Sequence, residues 1–296
     1  MPSRYEINET KRKKEKSKKN KKLAKKLVIF LILILLGLGI WGKFFEPNLL
    51  SVKEYKLNSS EIPSSFNGVK IVHFSDLHYG IGNSNKKLDN LITKINSLNP
   101  DIVIFTGDLI DRNYSTNEND IKNITNKLSK IEANLGKYAC TGNHDIKNEN
   151  FDNIMYDSGF KVLKNNYDTI YNKTNKPIAI YGLDNITYGS PKLDMLNSKD
   201  IENIAYKIVI LHEPDYIDEF IDNYDVNLIL AGHSHNGQVK LPKIKPIYLP
   251  KGSKTYYGKS YKINNTNVYI SNGVGNSIID FRLFNTPSIN LYRMTK

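Results

Sequence analysis

Residues 69–78 read VKIVHFSDLH, a β-branched apolar run that ends on Asp76 and His78. The run has the composition of a buried strand. The residues that close it offer a carboxylate and an imidazole, ligands suited to borderline divalent metals such as Zn, Mn and Fe. The arrangement returns along the chain. Residues 102–106 lead into Gly107-Asp108, residues 137–140 into Gly142-Asn143-His144-Asp145, residues 208–211 into His212, and residues 226–231 into Gly232-His233-Ser234-His235. Five of the six histidines fall in these clusters, where chance would scatter them. In open α/β sheets, ligands bind beyond the carboxyl ends of strands. Separate strand ends can therefore converge on one site, with enough ligands for two ions. Gly107, Gly142 and Gly232 permit tight turns beside it.

Helical patterns over residues 86–97 and 120–133, and a shorter one at 216–223, alternate with these strands. Residues 161–183 read as further strands, as do 268–271 and 282–293. This alternation predicts a layered α/β domain. Residues 46–67 are expected to be a connector with an edge strand at 50–56, and residues 68–296 a single catalytic domain. No internal repeat is visible.

The chain has 296 residues, 40% apolar and 24% charged, enough to bury a core. Its net charge of +12 is concentrated at one end: residues 1–26 hold twelve Lys or Arg against Glu6, Glu9 and Glu15. The rest carries about +3 and offers no footprint for nucleic acid. A single cysteine, Cys140, excludes a disulfide framework and a cysteine-based zinc site. Asn-X-Ser/Thr triplets, as at Asn113 and Asn185, recur by chance in so Asn-rich a chain.

Residues 27–42, LVIFLILILLGLGIWG, carry no charge. These 16 residues fall slightly short of the ~20 a spanning helix needs. Snorkelling by Lys25, Lys26 and Lys43, with Trp41, Phe44 and Phe45 at an interface, helps close the gap. No small-X-small cleavage site follows, so residues 27–45 read as an uncleaved signal anchor. The positive-inside rule predicts a single-pass protein with residues 1–26 in the cytoplasm and the catalytic domain outside the cell membrane. The basic tail also suits anionic inner-leaflet lipid.

The ordered series D-x-H, G-D, G-N-H-D, H, G-H-x-H resembles the calcineurin-like metallophosphoesterase superfamily. The string GHSHNGQVKLP, with SNGVG and FRLFNTP near the end, is similar to its bacterial membrane-associated phosphodiesterases, including UDP-2,3-diacylglucosamine pyrophosphatase-like enzymes. The resemblance covers most of residues 68–294 and implies a four-layer αββα sandwich with two mixed β-sheets. It implies two divalent ions. Asp76, His78 and His235 would hold one, Asn143, His212 and His233 the other, and Asp108 would bridge them. Hydrolysis would proceed by in-line attack of a hydroxide shared by both ions. His144 would be general acid and phosphate-binding group, with Asn143 also facing substrate. Asp145 either orients His144 or caps the helix that follows.

Other residues invite plainer readings. His73 lies within a strand and is expected to pack in the core, and Cys140 to be buried. Asp184 suits a loop-structural role as well as substrate contact. Arg282 either binds phosphate or pairs with an acidic neighbour. Asn236 and Ser288 stand where the resemblance has Gly and Glu, and touch no expected ligand. The expected substrate is a phosphate ester, preferably a lipid-linked or cell-envelope diester or pyrophosphate. The alternatives are a phosphomonoesterase of the same fold and a non-catalytic, membrane-tethered metal-binding module. A monomer is expected.

Overall fold

The computed structural model describes residues 3–296. Two six-stranded mixed sheets lie at its centre. The first runs, in spatial order, β1 (Ser51–Asn58), β12 (Ser288–Thr295), β2 (Lys70–Phe74), β3 (Ile102–Phe105), β4 (Gly136–Ala139) and β5 (Lys161–Val162). The second runs β10 (Ser260–Ile263), β11 (Thr266–Ile270), β9 (Leu228–Ala231), β8 (Lys207–Leu211), β7 (Ile178–Gly182) and β6 (Asn166–Ile170). Only the pairs β12–β2, β10–β11 and β6–β7 are antiparallel.

Alternation along each strand builds the layers. In β3, Ile102 and Ile104 pack between the sheets, against β8 residues Ile208 and Ile210 and β9 residues Leu228 and Leu230. Val103 and Phe105 face the other way, toward α2 (Ser84–Ser97), α3 (Glu118–Leu128) and α4 (Phe151–Asp157). In β8, Val209 and Leu211 cover the outer face of the second sheet with Ile217 and Phe220. Strands buried on both faces are apolar without interruption, which is why they are prominent in the sequence.

Two sequence expectations shift. The helix anticipated at 216–223 is a short 3-10 segment, Pro214–Glu219. Its proline suits a first turn, and Ile217 and Phe220 are drawn onto the sheet. The strand anticipated from 282 begins at Ser288. The preceding loop gives its carbonyls at Asn272, Gly273, Gly275 and Asn285 to the Arg282 guanidinium instead of to a ladder.

α1 (Arg4–Ile40) opens with a capping box between Ser3 and Glu6 and contains the one helix, among the described residues, long and apolar enough to cross a membrane. None of its apolar window is buried. The helix continues through Trp41–Phe45 and meets the domain there. Gly42 O accepts a hydrogen bond from Arg282 N (2.9 Å), and the Phe281 ring occupies the space a Gly42 side chain would need. The buried Glu46 accepts from Trp41 Nε1 (3.0 Å), Phe284 N (2.9 Å) and Asn285 N (2.6 Å).

Candidate metal centre

The five motifs leave the carboxyl ends of β2, β3, β4, β8 and β9, so both sheets contribute to one cluster. The chain turns sharply at these ends. Asp76, His78, Asp108, His233 and His235 all have φ between 43° and 68°, in the left-handed region. Such backbone costs roughly 1–3 kcal/mol per residue and persists where the surroundings demand it. Here it aims each side chain inward. Gly107 and Gly142 let two of the turns meet: a Cβ on either would overlap the other loop.

The side chains converge closely. Asp108 Oδ2 lies 3.2 Å from His212 Nε2 and 3.6 Å from His78 Nε2. Asp76 Oδ1 lies 3.4 Å from His235 Nε2 and 4.0 Å from His78 Nε2. Every one of these residues is buried, and three overlapping sets could each hold an ion: Asp76, His78 and His235; Asp108, His212 and His233; and His78, Asp108 and His144.

Hydrogen bonds at the periphery fix which ring nitrogens face inward. His212 Nδ1–H donates to Thr106 O (2.6 Å), and His233 Nε2–H donates to Lys251 O (2.8 Å). Their remaining lone pairs, on His212 Nε2 and His233 Nδ1, confront each other at 3.2 Å. His78 Nε2 and His235 Nε2 stand 3.0 Å apart, and Arg282 Nη2 donates to His235 Nδ1 (3.3 Å). With both rings neutral, the lone pairs of His212 and His233 repel at 3.2 Å unless a cation, either a proton or a metal ion, lies between them. Asn143 Oδ1 is buried among these groups with no hydrogen-bond partner. The donor set of nitrogens, carboxylates and one amide oxygen therefore fits divalent cations, and the peripheral carbonyls supply the orientation such ligands require.

The charges agree. Burial opposes ionisation of Asp108, yet His212, His144 and His78 hold its carboxyl well below the usual range. Burial likewise opposes protonation of His212, and Asp108 and Asp76 nevertheless raise its pKa well above the ordinary value. The cluster attracts positive charge at its centre.

His144 stands beside this cluster, its Nε2 4.0 Å from Asp108 Oδ2. Its backbone N–H donates to Asp108 Oδ1 (2.8 Å), and its Nδ1 accepts from Arg112 N (3.0 Å). With Nδ1 occupied as an acceptor, the neutral ring carries its proton on Nε2. Burial, together with the nearby His78 and His212, pushes the ring pKa down to about 4.

Asp145 neither orients that ring nor caps a helix. Its carboxylate accepts from the backbone N–H groups of Asp108 (2.7 Å), Leu109 (2.8 Å) and Gly142 (2.8 Å), pinning two ligand loops together. The carboxylate facing the His144 ring belongs to Asp111, whose Oδ2 lies 3.5 Å from His144 Nδ1 and 3.4 Å from His78 Nδ1. Sequence reading missed Asp111, and its only signal was its place three residues after Asp108. Glu213 was missed too. It is buried next to His212 and accepts from Asn185 Nδ2 (2.7 Å) and Ile186 N (3.2 Å).

Arg282 does not line the cleft and pairs with no carboxylate among the described residues. It is fully buried behind His235, with its donors directed to backbone carbonyls, Asn276 Oδ1 and His235 Nδ1 (3.3 Å). The cationic side chains that do line the cleft are Arg112 and Lys251. The remaining assignments fall in the core or the loops. His73 is bonded to Thr106 Oγ1 (2.9 Å) and Tyr292 OH (3.3 Å) in the interior. Cys140 is buried, and Asp184 accepts from Asn185 N and Ser190 N within its loop. Asn236 has φ 48°, a conformation glycine adopts freely. Ser288 is buried at the start of β12.

The cleft over the cluster has a volume of about 450 Å³. His144 and Asn143 form part of its wall, and Gln238, Ile247, Tyr248 and Ile278 another part.

Residues 69–237 match the model of the calcineurin-like phosphoesterase family. The chain is 33% identical to the uncharacterized metallophosphoesterase YkuE of Bacillus subtilis, over 86% of this chain and 88% of that protein. It is 27% identical to the UDP-2,3-diacylglucosamine pyrophosphatase LpxG of Chlamydia trachomatis, over 69% of this chain and 74% of the relative. It is 26% identical to a transmembrane protein with metallophosphoesterase domain of Danio rerio, over 85% of this chain and 59% of the relative. Enzymes of this kind work with two divalent ions, which the geometry of the cluster accommodates. From strand ends to opposed imidazoles, the site agrees with these matches: the chain belongs to the calcineurin-like phosphoesterases and is a metal-dependent phosphoric ester hydrolase.

Proposed function

We propose that the enzyme is a membrane-anchored phosphodiesterase or pyrophosphatase acting on a lipid or cell-envelope phosphate. The observation that carries the hydrolytic reading is the convergence of Asp76, His78, Asp108, His212, His233 and His235 beside the unpartnered Asn143 Oδ1. Asp76, His78 and His235 would hold one ion, Asn143, His212 and His233 the other, and Asp108 both. Two such ions, when bound, would supply an acidified water as nucleophile and would stabilise charge on the phosphoryl oxygens. The Nε2–H of His144 would hydrogen-bond the phosphoryl and leaving oxygens, and in its imidazolium form, favoured once an anionic phosphate lies beside it, the ring would pass that proton to the leaving oxygen and return to neutral imidazole. The Asp111 carboxylate faces His78 Nδ1 and His144 Nδ1, while Arg112 and Lys251 attract the phosphate into the cleft.

The substrate class follows from the anchor and from LpxG, a relative named for a lipid-linked pyrophosphate. An anchored site meets lipid head groups at high effective concentration. We take residues 1–26 as cytoplasmic tail, 27–45 as anchor, 46–67 as connector and 68–296 as a monomeric catalytic domain. The twelve basic residues of the tail favour an outward-facing domain.

Purified full-length protein in detergent, given Mn, Zn or Fe, should hydrolyse bis-p-nitrophenyl phosphate faster than p-nitrophenyl phosphate. Absence of turnover with every ion would overturn the reading, and preference for the monoester would make the enzyme a phosphomonoesterase. In intact spheroplasts, external protease should digest the domain; protection would reverse the orientation.

A further inference from the structure

Two loops form the apolar side of the cleft, and both expose large apolar side chains side by side, a pattern that marks an interaction surface. Residues 239–250 read VKLPKIKPIYLP. Leu241, Ile244, Ile247 and Tyr248 are 48, 61, 84 and 60% exposed, interleaved with the exposed Lys243 and Lys245. Across from them Ile278, Ile279 and Phe284 are also exposed. The loops are tied to each other. Lys240 N donates to Leu283 O (3.1 Å), and Gln238 Nε2 reaches the carbonyls of Ser277, Ile279 and Phe281 at 3.0–3.1 Å.

The second loop is in turn fastened to the apolar helix. Besides the Arg282–Gly42 bond and the Phe281 contact, Lys43 Nζ lies 3.4 Å from Asp280 Oδ2. Trp41, Phe44 and Phe45 are exposed at this junction, the aromatic residues that settle at a membrane–water boundary. The point where the helix leaves the domain and the apolar lip of the cleft are thus one continuous surface. A loop that alternates lysines with Leu, Ile and Tyr suits the head-group region of an anionic bilayer: apolar side chains enter the acyl boundary while ammonium groups meet lipid phosphates.

We propose that residues 239–250 and 277–284 form a rim resting in the surface of the same bilayer that holds the helix. The cleft then opens onto lipid head groups and takes its phosphate from an amphiphile still seated in the membrane. The rim stands on geometry alone, whereas its use for substrate entry rests on the phosphoesterase reading above.

The test uses the full chain in bilayer discs of phosphatidylcholine and phosphatidylglycerol. Buried Cys140 is shielded from labelling, so an environment-sensitive fluorophore can be placed singly at Ile244→Cys or at Tyr171→Cys. Tyr171 is exposed in the turn before β7, at the end of the sheet away from the cleft. Emission at position 244 should shift to the blue and be quenched by spin-labelled lipid, while position 171 should stay open to aqueous iodide. Equal iodide access at both positions overturns the rim. Burial of position 244 only when two copies share a disc assigns the surface to a second copy and also overturns it.

Substrate entry is read with Leu241→Asp combined with Ile244→Asp, neither of which lines the cleft. Turnover of soluble bis-p-nitrophenyl phosphate should be unchanged. Turnover of hexadecyl p-nitrophenyl phosphate embedded in the discs should fall about tenfold. Equal loss on both substrates overturns entry through the rim. A protein inactive on both probes but quenched at position 244 keeps the rim and removes the phosphoesterase reading.

Discussion

Replacing Asp108 by Asn should abolish hydrolysis, lowering kcat/KM by more than about a thousandfold, since a single catalytic electrostatic contact is commonly worth ~10²–10³. The amide has nearly the same shape, so the loss isolates lone pairs and charge. Asp108 Oδ1 accepts the His144 N–H, while Oδ2 faces His212 and His78. An Asn that keeps the first bond turns its NH₂ toward the two imidazole nitrogens and offers no lone pair at the centre. An Asn turned the other way sets its NH₂ against the His144 N–H. Neither rotamer supplies a negative bridging group. Elemental analysis should find less than one ion per chain after dialysis, where the parent enzyme keeps two. A variant that retains both ions and most of its activity would remove Asp108 from the bridging position.

The second large effect is expected at His144, and it should depend on the leaving group. General acid catalysis contributes roughly 10²–10⁴, but only where the departing oxygen needs a proton. His144→Ala should therefore lose about that factor on an alkyl diester and much less on a p-nitrophenyl ester, whose phenolate leaves unaided. Metal content should not change, because His144 is outside the two proposed ligand sets; loss of an ion would place the third set, His78, Asp108 and His144, at a metal. Equal losses on the two esters would assign His144 to holding phosphate, with no proton transfer.

The strands and the residues that converge on the cluster were legible because burial and metal-ligand chemistry each leave marks in composition. Strands covered on both faces become continuous apolar runs, and the runs ending in Asp76, Asp108, Asn143, His212 and His233 share that context. Residues acting through their neighbours leave weaker marks. Asp111 faces two imidazoles, yet in sequence it is a lone carboxylate after an isoleucine. Arg282 looked available to phosphate because its charge is visible in the sequence, whereas the surrounding carbonyls are contributed by backbone and have no residue signature. Asp145 was read as a partner of its neighbour His144, but its partners are N–H groups of another loop. The short 3-10 segment at Pro214–Glu219 carries the same apolar spacing as a helix. The strand β10 went unread because SYKI alternates half-exposed and exposed positions.

The cluster draws ligands from both sheets, and this gives any bound ion a mechanical role as well as a chemical one. An ion held by Asp76 and His235 rivets residues far apart in sequence across the seam between two layers. Ligand held only by the folded state stabilises it by mass action, by about 2.7 kcal/mol when present at a hundred times its Kd. Chelator-stripped protein should accordingly melt at a lower temperature than the same protein saturated with Mn or Zn; coincident melting curves would show that the seam closes without the rivet. Where it holds, scarcity of the ion shortens the life of the protein itself, so the cell's supply of metal governs how much enzyme survives as well as how fast each copy works.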